Sequence, residues 1–273
     1  MNVVLLTGSE LRHEFFRKFI AHDNHINVLA SYCESSKGSL RQLVSEDDVN
    51  NFRNQHLDAR DKTEIDFFHL FCDKITDQSN PIFIQKGEIN DDCHVKSIIA
   101  LNPDLIIAYG CSIIKSELLY RFERRFINIH LGLSPYYRGS GTNFWPFVNK
   151  ELHFIGTTFM YIDAGVDTGE IIHQIRAEII FNDTIHQIGN RLIKDSFITC
   201  VELVKNFTAI QPMPPLAFDK TNERYYRKKD FTEDALIIAY NNLKQGLIDD
   251  FLENKNTLYD RYPIISNPFF DTI

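Results

Sequence analysis

The chain has 273 residues, of which 44% are hydrophobic and 24% are charged, and its formal net charge is −8. This length and composition are typical of a globular enzyme with one large α/β domain and a small appendage. The negative net charge disfavours a nucleic-acid-binding protein, because phosphate binding usually needs a basic surface.

The first residues lack a basic stretch and run directly into a strand pattern, so no signal peptide is expected. No apolar run approaches the about 20 residues that a membrane helix needs, so no membrane contact is expected. The five cysteines are odd in number and none are spaced as C-x-x-C. This pattern disfavours a disulfide framework or a zinc site and predicts a reducing, cytoplasmic location.

A β-α-β unit opens the chain. Residues 3–7 form an apolar run that ends at Gly8, residues 10–21 repeat apolar side chains at helical spacing, and residues 26–32 predict a second strand. Gly8 stands alone, and the absence of G-x-G-x-x-G disfavours a nicotinamide enzyme.

The pattern continues as an alternation of strands and helices, after a polar stretch at 34–63 that we expect to be a mobile excursion. Further strands are predicted at 81–85, 105–109, 126–130, 156–162 and 170–175. Further helices are predicted at 64–75, 95–101, 113–120, 142–149 and 184–204, with a weak one at 236–247. The helix caps are expected at Asn90 or Asp91 and at Asn182 or Asp183.

Two polar residues end a buried strand in Asn128-Ile129-His130. Residues two apart on a strand share a face, so both side chains are expected to converge at the carboxyl end of the sheet, where open α/β sheets bind ligands. A capped strand end with satisfied polar groups is the alternative interpretation.

Asp167 lies in a turn-like stretch between two strands, where glycine and aspartate are common for conformational reasons alone. A metal site made of Asp163, Asp167 and His130 is a further possibility, but the spacing supplies no additional convergent ligand. We therefore predict no metal.

Taken together, these segments are more specific. Residues 126–139 (FINIHLGLSPYYRG) and 165–169 (GVDTG) resemble the folate-dependent formyltransferase family, whose signature combines N-x-H, S-L-L-P-x-x-x-G and D-x-G-x-D-x-G. The family includes glycinamide ribonucleotide, methionyl-tRNA and sugar N-formyltransferases. The resemblance covers roughly the first 200 residues. One departure, Gly132-Leu133-Ser134-Pro135 in place of Ser-Leu-Leu-Pro, alters the loop that shapes the acceptor pocket.

The resemblance implies a Rossmann-like α/β formyltransferase domain over 1–207, a small C-terminal appendage over 208–273, and 10-formyltetrahydrofolate as formyl donor. It implies that Asn128, His130 and Asp167 are catalytic. The residues that it implies around the folate are Tyr109, Gly110, Cys111, Ser112, Ile113 and Ile114 on one side, and Tyr161, Asp163 and Gly165 on the other.

These residue types suit the reaction. Asn128 and His130 can donate hydrogen bonds to the oxyanion that forms when an amine attacks the formyl carbon, and one such donor contributes about 3 kcal/mol. His130 can also move a proton near neutral pH, while Asp167 orients the ring. Sequence alone leaves open which of the two accepts the amine's proton.

The leading acceptor is a nucleotide-linked amino-deoxy sugar of surface-glycan synthesis, and family habit suggests a homodimer. Its binding residues are expected to be Arg138, Asn143 and Trp145 beside the catalytic strand, with Ser9 and Arg12 at the first β-α turn, where a helix N-terminus can receive an anion.

Several alternatives remain open. Methionyl-tRNA is the alternative acceptor, and hydrolysis of the formylfolate is the alternative reaction. A catalytically inactive binding module is disfavoured because Asn128, His130 and Asp167 are all present. His173 and His186 are interpreted as ordinary histidines, and the basic cluster at 225–229 as a solvated loop.

Overall fold

The computed structural model describes residues 1–37, 51–216, 218 and 220–272. The strands are β1 (Asn2–Gly8), β2 (Asn27–Glu34), β3 (Pro81–Ile84), β4 (Leu105–Tyr109), β5 (Phe126–His130), β6 (Tyr137–Gly139), β7 (Gly156–Tyr161), β8 (Ile171–Arg176) and β9 (Arg224–Tyr226). The helices are α1 (Leu11–Ala21), α2 (Phe52–Glu64), α3 (Leu70–Lys74), α4 (Asp92–Leu101), α5 (Ser116–Arg121), α6 (Trp145–Asn149), α7 (Ile185–Lys205), α8 (Glu233–Lys244) and α9 (Leu247–Arg261). Short 3₁₀ turns lie at Glu88–Asn90, Leu152–Phe154, Phe207–Ala209, Lys220–Asn222, Lys228–Asp230 and Pro268–Thr272.

Seven strands form one twisted sheet in the order β3-β2-β1-β4-β5-β7-β8. The strands from β3 to β5 pair in parallel, whereas β7 and β8 add an antiparallel edge. The chain moves outward from β1 to β3 and then returns to place β4 on the other side of β1. This is the topological switch point at which doubly wound sheets bind ligands, and the predicted Rossmann-like α/β class is confirmed.

Apolar side chains cover both faces of the sheet. One core cluster joins β1, β4 and β5 to α1 and α7, and another joins the opposite face to α4 and α5. These layers bury nearly every strand residue at the centre of the sheet, so the backbone that carries the strand ends is rigid.

A further core cluster lies beside the sheet and includes residues far apart in sequence. It packs Tyr136, Trp145 and Phe154, which follow β5, against Leu236 and Phe251 of α8 and α9. A two-stranded sheet, β6 with β9, joins the same regions by parallel pairing. The C-terminal residues therefore contribute to the structure around the end of β5.

Several helix boundaries differ from the sequence prediction. The stretch 34–63 is not wholly an excursion, because Asn51 caps a helix over Phe52–Glu64 by accepting a bond from Arg53 N at 2.8 Å. The helix then passes through a π turn, Ile65–His69, into α3. Residues 38–50 lie outside the described part of the chain.

The long helix begins one residue later than predicted. Thr184, rather than Asn182 or Asp183, is the cap, because its hydroxyl accepts from Gln187 N and the Gln187 side chain accepts in return from Thr184 N. Asp183 instead pairs with Arg191 at 2.7 Å. The N-cap of α4 is Asp91, which is one of the two predicted positions, but its side chain makes no capping hydrogen bond.

Two predicted helices are shorter than expected, and α9, like α2, was missed. The Asn90 side chain bonds Ile113 O and Lys115 N, which holds those residues outside α5. The helix predicted at 142–149 begins only at Trp145. The weak C-terminal helix is followed by α9 beyond a left-handed Gly246 (φ 90°), where the pattern predicted nothing.

Buried neutral histidines are a feature of this fold. His13, His56, His153 and His186 are at most 8% exposed. Burial lowers the pKa of His56 to about 3, of His153 to about 4 and of His186 to about 4, and it lowers the pKa of His13 well below its ordinary range.

We expect these histidines to make the protein acid-sensitive. Below the ordinary pKa of 6.5 the unfolded chain protonates them while the native protein does not, so stability is lost as the pH falls from about 6.5 toward about 4. Each contributes up to about 1.4 kcal/mol per pH unit to the free energy of unfolding. Urea unfolding at stepped pH measures the slope of the free energy of unfolding against pH. His153→Phe should reduce this slope by the contribution of about one proton. A free energy of unfolding that is flat over this interval would contradict the expectation.

Candidate active site

Three polar side chains converge at the carboxyl end of β5. Asn128 lies between Ala108 of β4 and Met160 of β7, and His130 lies two residues further along the same strand face. Asn128 Nδ2 donates to Asp167 Oδ1 at 3.3 Å, and His130 Nδ1 lies 3.3 Å from the same oxygen. The fold therefore brings together the trio that the sequence singled out.

The backbone of β6 holds Asp167 in place. Asp167 has a left-handed φ of 53°, which aspartate tolerates better than most residues. Its second carboxylate oxygen accepts from Gly139 N at 3.1 Å. Arg138 adds a clamp by donating to Val166 O from Nη2 at 2.9 Å and from Nε at 3.2 Å. The loop that carries the carboxylate is thus fixed by the strand that follows β5.

Both ring nitrogens of His130 face oxygen acceptors. Nδ1 faces the Asp167 carboxylate, and Nε2 lies 3.2 Å from Tyr137 O. A neutral imidazole carries one N–H and can donate to only one of these oxygens, whereas an imidazolium donates to both. This ring, which is 7% exposed, is therefore held between two oxygen acceptors.

Two cavities meet at this trio. A large cleft of about 760 Å³ lies over the switch point and extends toward β9, and a small cavity of about 190 Å³ lies between β4 and the β7–β8 loop. Six residues border both: Gly110, Cys111, Ile113, Asn128, Val166 and Asp167. A group that bridges the cavities would pass beside the Asn128 carboxamide.

The small cavity contains most of the residues predicted to bind the folate. They are Gly110, Cys111, Ser112, Ile113, Ile114, Tyr161, Asp163 and Gly165. Tyr109 is the exception, because its side chain is 97% buried toward the large cleft beside His13. Burial, with the nearby Glu34 charge, raises the pKa of the Cys111 thiol to about 12, so this cysteine is protonated and is a poor nucleophile at neutral pH.

A buried carboxylate that sequence reasoning missed holds the wall of this cavity. Glu34, at the end of β2, is 1% exposed and accepts from Ser112 N at 2.6 Å, Gly87 N at 2.8 Å and Lys86 Nζ at 3.0 Å. It ties the loop after β4 to the loop after β3. The available signal was a glutamate at the carboxyl end of a buried parallel strand.

The large cleft contains three of the five residues predicted to bind the acceptor, namely Ser9, Arg12 and Asn143. Arg12 is paired with Glu10 and with Glu64, the latter at 2.5 Å, so carboxylates compensate its charge. Asn143 uses its carbonyl oxygen to accept from Gly156 N at 3.0 Å.

Arg138 and Trp145 do not border the cleft. Arg138 is occupied by Val166 O and Glu223. Trp145 is 4% exposed, stacks on Tyr226 with ring centres 4.0 Å apart, and donates from Nε1 to Ser140 O at 2.9 Å. Its burial is that of a core side chain rather than of a ligand-facing ring, so the expectation that Trp145 binds the acceptor is not met.

Several cleft residues come from parts of the chain that the sequence did not single out. The stretch at 225–229 is not simply a solvated loop, because Tyr225 and Tyr226 belong to β9, and they border the cleft with Arg227 and Lys228. Pairing with β6 places them there, and no local pattern encodes that long-range contact. The cleft wall also includes His56, His186 and Asn190. His173, by contrast, stacks on Phe270 at 4.1 Å outside both cavities.

Among the described residues, no group of three or more histidine, cysteine or acidic side chains is arranged to hold a metal ion. Within the same part of the chain, no helix combines the length and apolarity that crossing a membrane requires.

Comparison with known proteins places these observations in a family. The family model described as formyl transferase matches residues 15–204. A methionyl-tRNA formyltransferase from Desulforamulus reducens is 34% identical over 111 residues, which are 40% of this chain and 34% of the relative. The match therefore spans about a third of the length of that curated relative.

Solved structures share the fold at low identity. A sugar N-formyltransferase from a Shewanella species superposes with a TM-score of 0.55 at 18% identity, covering 85% of this chain and 78% of its own. A phosphoribosylglycinamide formyltransferase from Anaplasma phagocytophilum gives 0.54 at 14%, covering 83% and 98%. The family match extends over most of the sheet and includes Asn128, His130 and Asp167. The chain therefore belongs to the formyl transferase family, whose members are enzymes that transfer formyl groups.

Proposed function

We propose that this protein transfers the formyl group of 10-formyltetrahydrofolate, the formyl donor of the family, to the amine of a nucleotide-linked amino-deoxy sugar. The observation that carries the proposal is the meeting of a small and a large cavity at Asn128 and Asp167. Such a pair of cavities suits a donor and an acceptor that approach one carbonyl carbon from two sides.

The small cavity fits the folate ring system in its chemistry. Its walls combine loop backbone at Gly110–Ser112 and Gly165 with the apolar side chains of Ala108, Met160 and Ile162. Flat heterocycles are held in this way, by apolar faces and by backbone groups at the ring edge. When bound, the folate supplies a formyl group, and the shared wall directs that group toward Asn128.

Asn128 is the proposed oxyanion donor. One N–H of its carboxamide goes to Asp167 Oδ1, and an amide nitrogen has a second N–H to offer to the formyl oxygen. The bond to Asp167 fixes the orientation of the carboxamide before the substrate arrives, so little reorganisation is needed as negative charge develops.

His130 is the proposed proton acceptor. If Nε2–H donates to Tyr137 O, the Nδ1 lone pair faces Asp167, and a proton taken from the attacking amine at Nδ1 completes an ion pair. Asp167 therefore stabilises the imidazolium and orients the ring without itself becoming protonated. We therefore propose His130, rather than Asp167, as the group that accepts the amine's proton.

The cleft supplies features suited to a nucleotide. Its volume of about 760 Å³ is within the range of about 300–1,000 Å³ that small-molecule sites occupy. Tyr225 is 47% exposed, with the guanidinium carbons of Arg138 and Arg227 at 5.9 and 5.8 Å from its ring centre. A base or sugar ring can stack on Tyr225, and Arg227 is placed to pair with a diphosphate.

The same features disfavour methionyl-tRNA, although relatives of that kind match the sequence. A net charge of −8 provides little attraction for a polyanion. The residues after α7 pack α8 against α6 and pair β9 with β6. They thus complete the cleft.

The proposal extends to organisation and location. The end of the family match at residue 204 supports a catalytic domain over 1–207 with an appendage over 208–273. The free cysteines support a reducing cytoplasm. A homodimer is the proposed assembly, and equilibrium sedimentation of the full chain tests it.

We predict that Asn128→Ala, His130→Ala and Asp167→Ala each lower turnover by at least about 100-fold, because they remove the oxyanion donor, the proton acceptor and the carboxylate that orients both, respectively. The losses should not add, since the three side chains form one bonded unit. Spectrophotometric release of tetrahydrofolate measures turnover, and circular dichroism checks the fold. His153→Phe is the control, as a buried histidine outside both cavities. Near-normal turnover of the His130 variant would refute the assignment, and equal folate release with and without an amine would indicate a hydrolase.

For the acceptor, we predict that Tyr225→Ala and Arg227→Ala each raise the KM for the nucleotide sugar by about 10-fold or more and leave the KM for the folate donor within about two-fold. Mass spectrometry of a panel of nucleotide amino sugars, glycinamide ribonucleotide and methionyl initiator tRNA identifies the acceptor. Tyr120→Ala, at an 82% exposed tyrosine outside both cavities, is the matched control. Formylation of the tRNA or of glycinamide ribonucleotide, with no sugar modified, would overturn the sugar proposal.

A further inference from the structure

We propose that His186 and Asn190 form a binding site for an uncharged hydrogen-bonding group of the acceptor, a hydroxyl or an amide. The inference rests on the proposed function, because it assigns the residues that hydrogen-bond to an uncharged group of the proposed acceptor. We refer to His186 and Asn190 together as the α7 pair.

The α7 pair occupies one face of one rigid element. The two residues are four apart on α7, so their side chains lie one above the other on the same side of the helix. Both border the large cleft, although they are only 8% and 4% exposed. The capping box at Thr184 fixes the first turn of the helix immediately before them.

Both side chains carry polar atoms that the protein leaves unused. His186 Nε2 and Asn190 Nδ2 are buried and make no hydrogen bond within the described part of the chain. Buried polar atoms are nearly always paired, and an unpaired one costs about 1–3 kcal/mol. Two such atoms on one helix face, in the wall of one cleft, indicate that their partner is a ligand.

The chemistry of the α7 pair is neutral. Burial and the nearby Arg60 charge lower the pKa of His186 to about 4, so the ring is uncharged near neutral pH. Nε2 has no partner among the described residues, and a neutral imidazole nitrogen donates or accepts according to the tautomer, so Nε2 can serve either role toward a ligand.

Asn190 supplies a second uncharged hydrogen-bonding atom. Its Nδ2 is a donor, and a half-turn of the carboxamide exchanges nitrogen for oxygen at small cost. With Nε2 of His186 as the acceptor and Asn190 as the donor, the pair matches a hydroxyl, which donates and accepts, or an amide, which has one group of each kind. Neither side chain offers a charge to a phosphate or an ammonium group.

The surroundings support a neutral ligand group. His56, 4.6 Å from His186 between ring centres, is itself neutral and is fixed by Tyr240 Oη at 3.0 Å from Nδ1. The rings of Phe144 and Phe231 lie 5.9 and 5.6 Å from His56. Arg60 also borders the cleft here, but its guanidinium is paired with Asp61 at 2.9 Å. The α7 pair therefore supplies two unused hydrogen-bonding atoms on this side of the cleft.

The test compares His186→Phe and Asn190→Leu with wild type, using the nucleotide amino sugar that wild type formylates and analogues of that sugar lacking one hydroxyl or the N-acyl group. Each variant should raise the acceptor KM by about 10-fold or more and leave the folate KM within about two-fold. With wild type, the analogue that lacks the recognised group should have a lower kcat/KM than the full acceptor. With the double variant, the analogue and the full acceptor should have the same kcat/KM. The identity of that analogue shows whether the recognised group is a hydroxyl or an amide. Unchanged acceptor KM values would overturn the inference while leaving the proposed function intact.

A second measurement does not depend on any acceptor. If the pair is unpaired in the free protein, Asn190→Leu and His186→Phe should each raise Tm by about 2 °C or more. Asn242→Leu is the matched control, because that buried asparagine donates to Phe147 O at 2.9 Å and Val148 O at 3.0 Å, and its loss should lower Tm. His153→Phe is the control for the ring, since it removes two unpaired nitrogens without bordering the cleft and should leave the acceptor KM unchanged.

If no sugar is formylated, the proposed function fails and the unfolding data alone decide. A Tm that is unchanged or lowered in both α7 variants would show that these atoms already have partners, and the binding site would be rejected.

Discussion

The Asp167 carboxylate organises this site, because each of its oxygens has a different task. Oδ1 faces both Asn128 Nδ2 and His130 Nδ1, and Oδ2 accepts from Gly139 N. A single side chain thus orients the two groups on β5 and is itself held by β6. The left-handed backbone at this residue persists because the Arg138 clamp on Val166 and the Gly139 bond fix it from outside.

In the proposed reaction, this constraint keeps the two substrates apart but brings them to one carbon. The sheet supplies rigid strand ends at the switch point, whereas the loops on either side of Asn128 shape the cavities. On the folate side the critical support is Glu34, which stabilises loop backbone rather than touching the reaction. On the acceptor side the walls come from α7 and from β9, which belong to regions far apart in the sequence.

The sequence predicted what is encoded locally. The alternation of apolar runs predicted the sheet, and the shared strand face placed Asn128 beside His130. Asp167 was joined to them only through the resemblance to formyltransferases. Glu34, His186, Asn190 and Tyr225 were missed or dismissed, since their significance arises from contacts across the fold. Trp145 shows the opposite error, because it was expected to bind the acceptor. Its ring is covered by Tyr226, which lies 81 positions later in the sequence. The cap at Thr184 shows the same limit at short range, because three adjacent polar residues are all plausible caps until Gln187 selects one.

The parallel pairing of β6 with β9 has a consequence for how the molecule is made. The small cavity is complete once the chain has reached β7 and the loop after it, and none of its walls comes from beyond residue 169. The large cleft needs α7 and the strand at Arg224–Tyr226 as well. During synthesis the amino-terminal part of a protein emerges first. The nascent chain therefore completes the proposed folate cavity before the proposed acceptor cleft, and the wall formed by β9 is the last to be added.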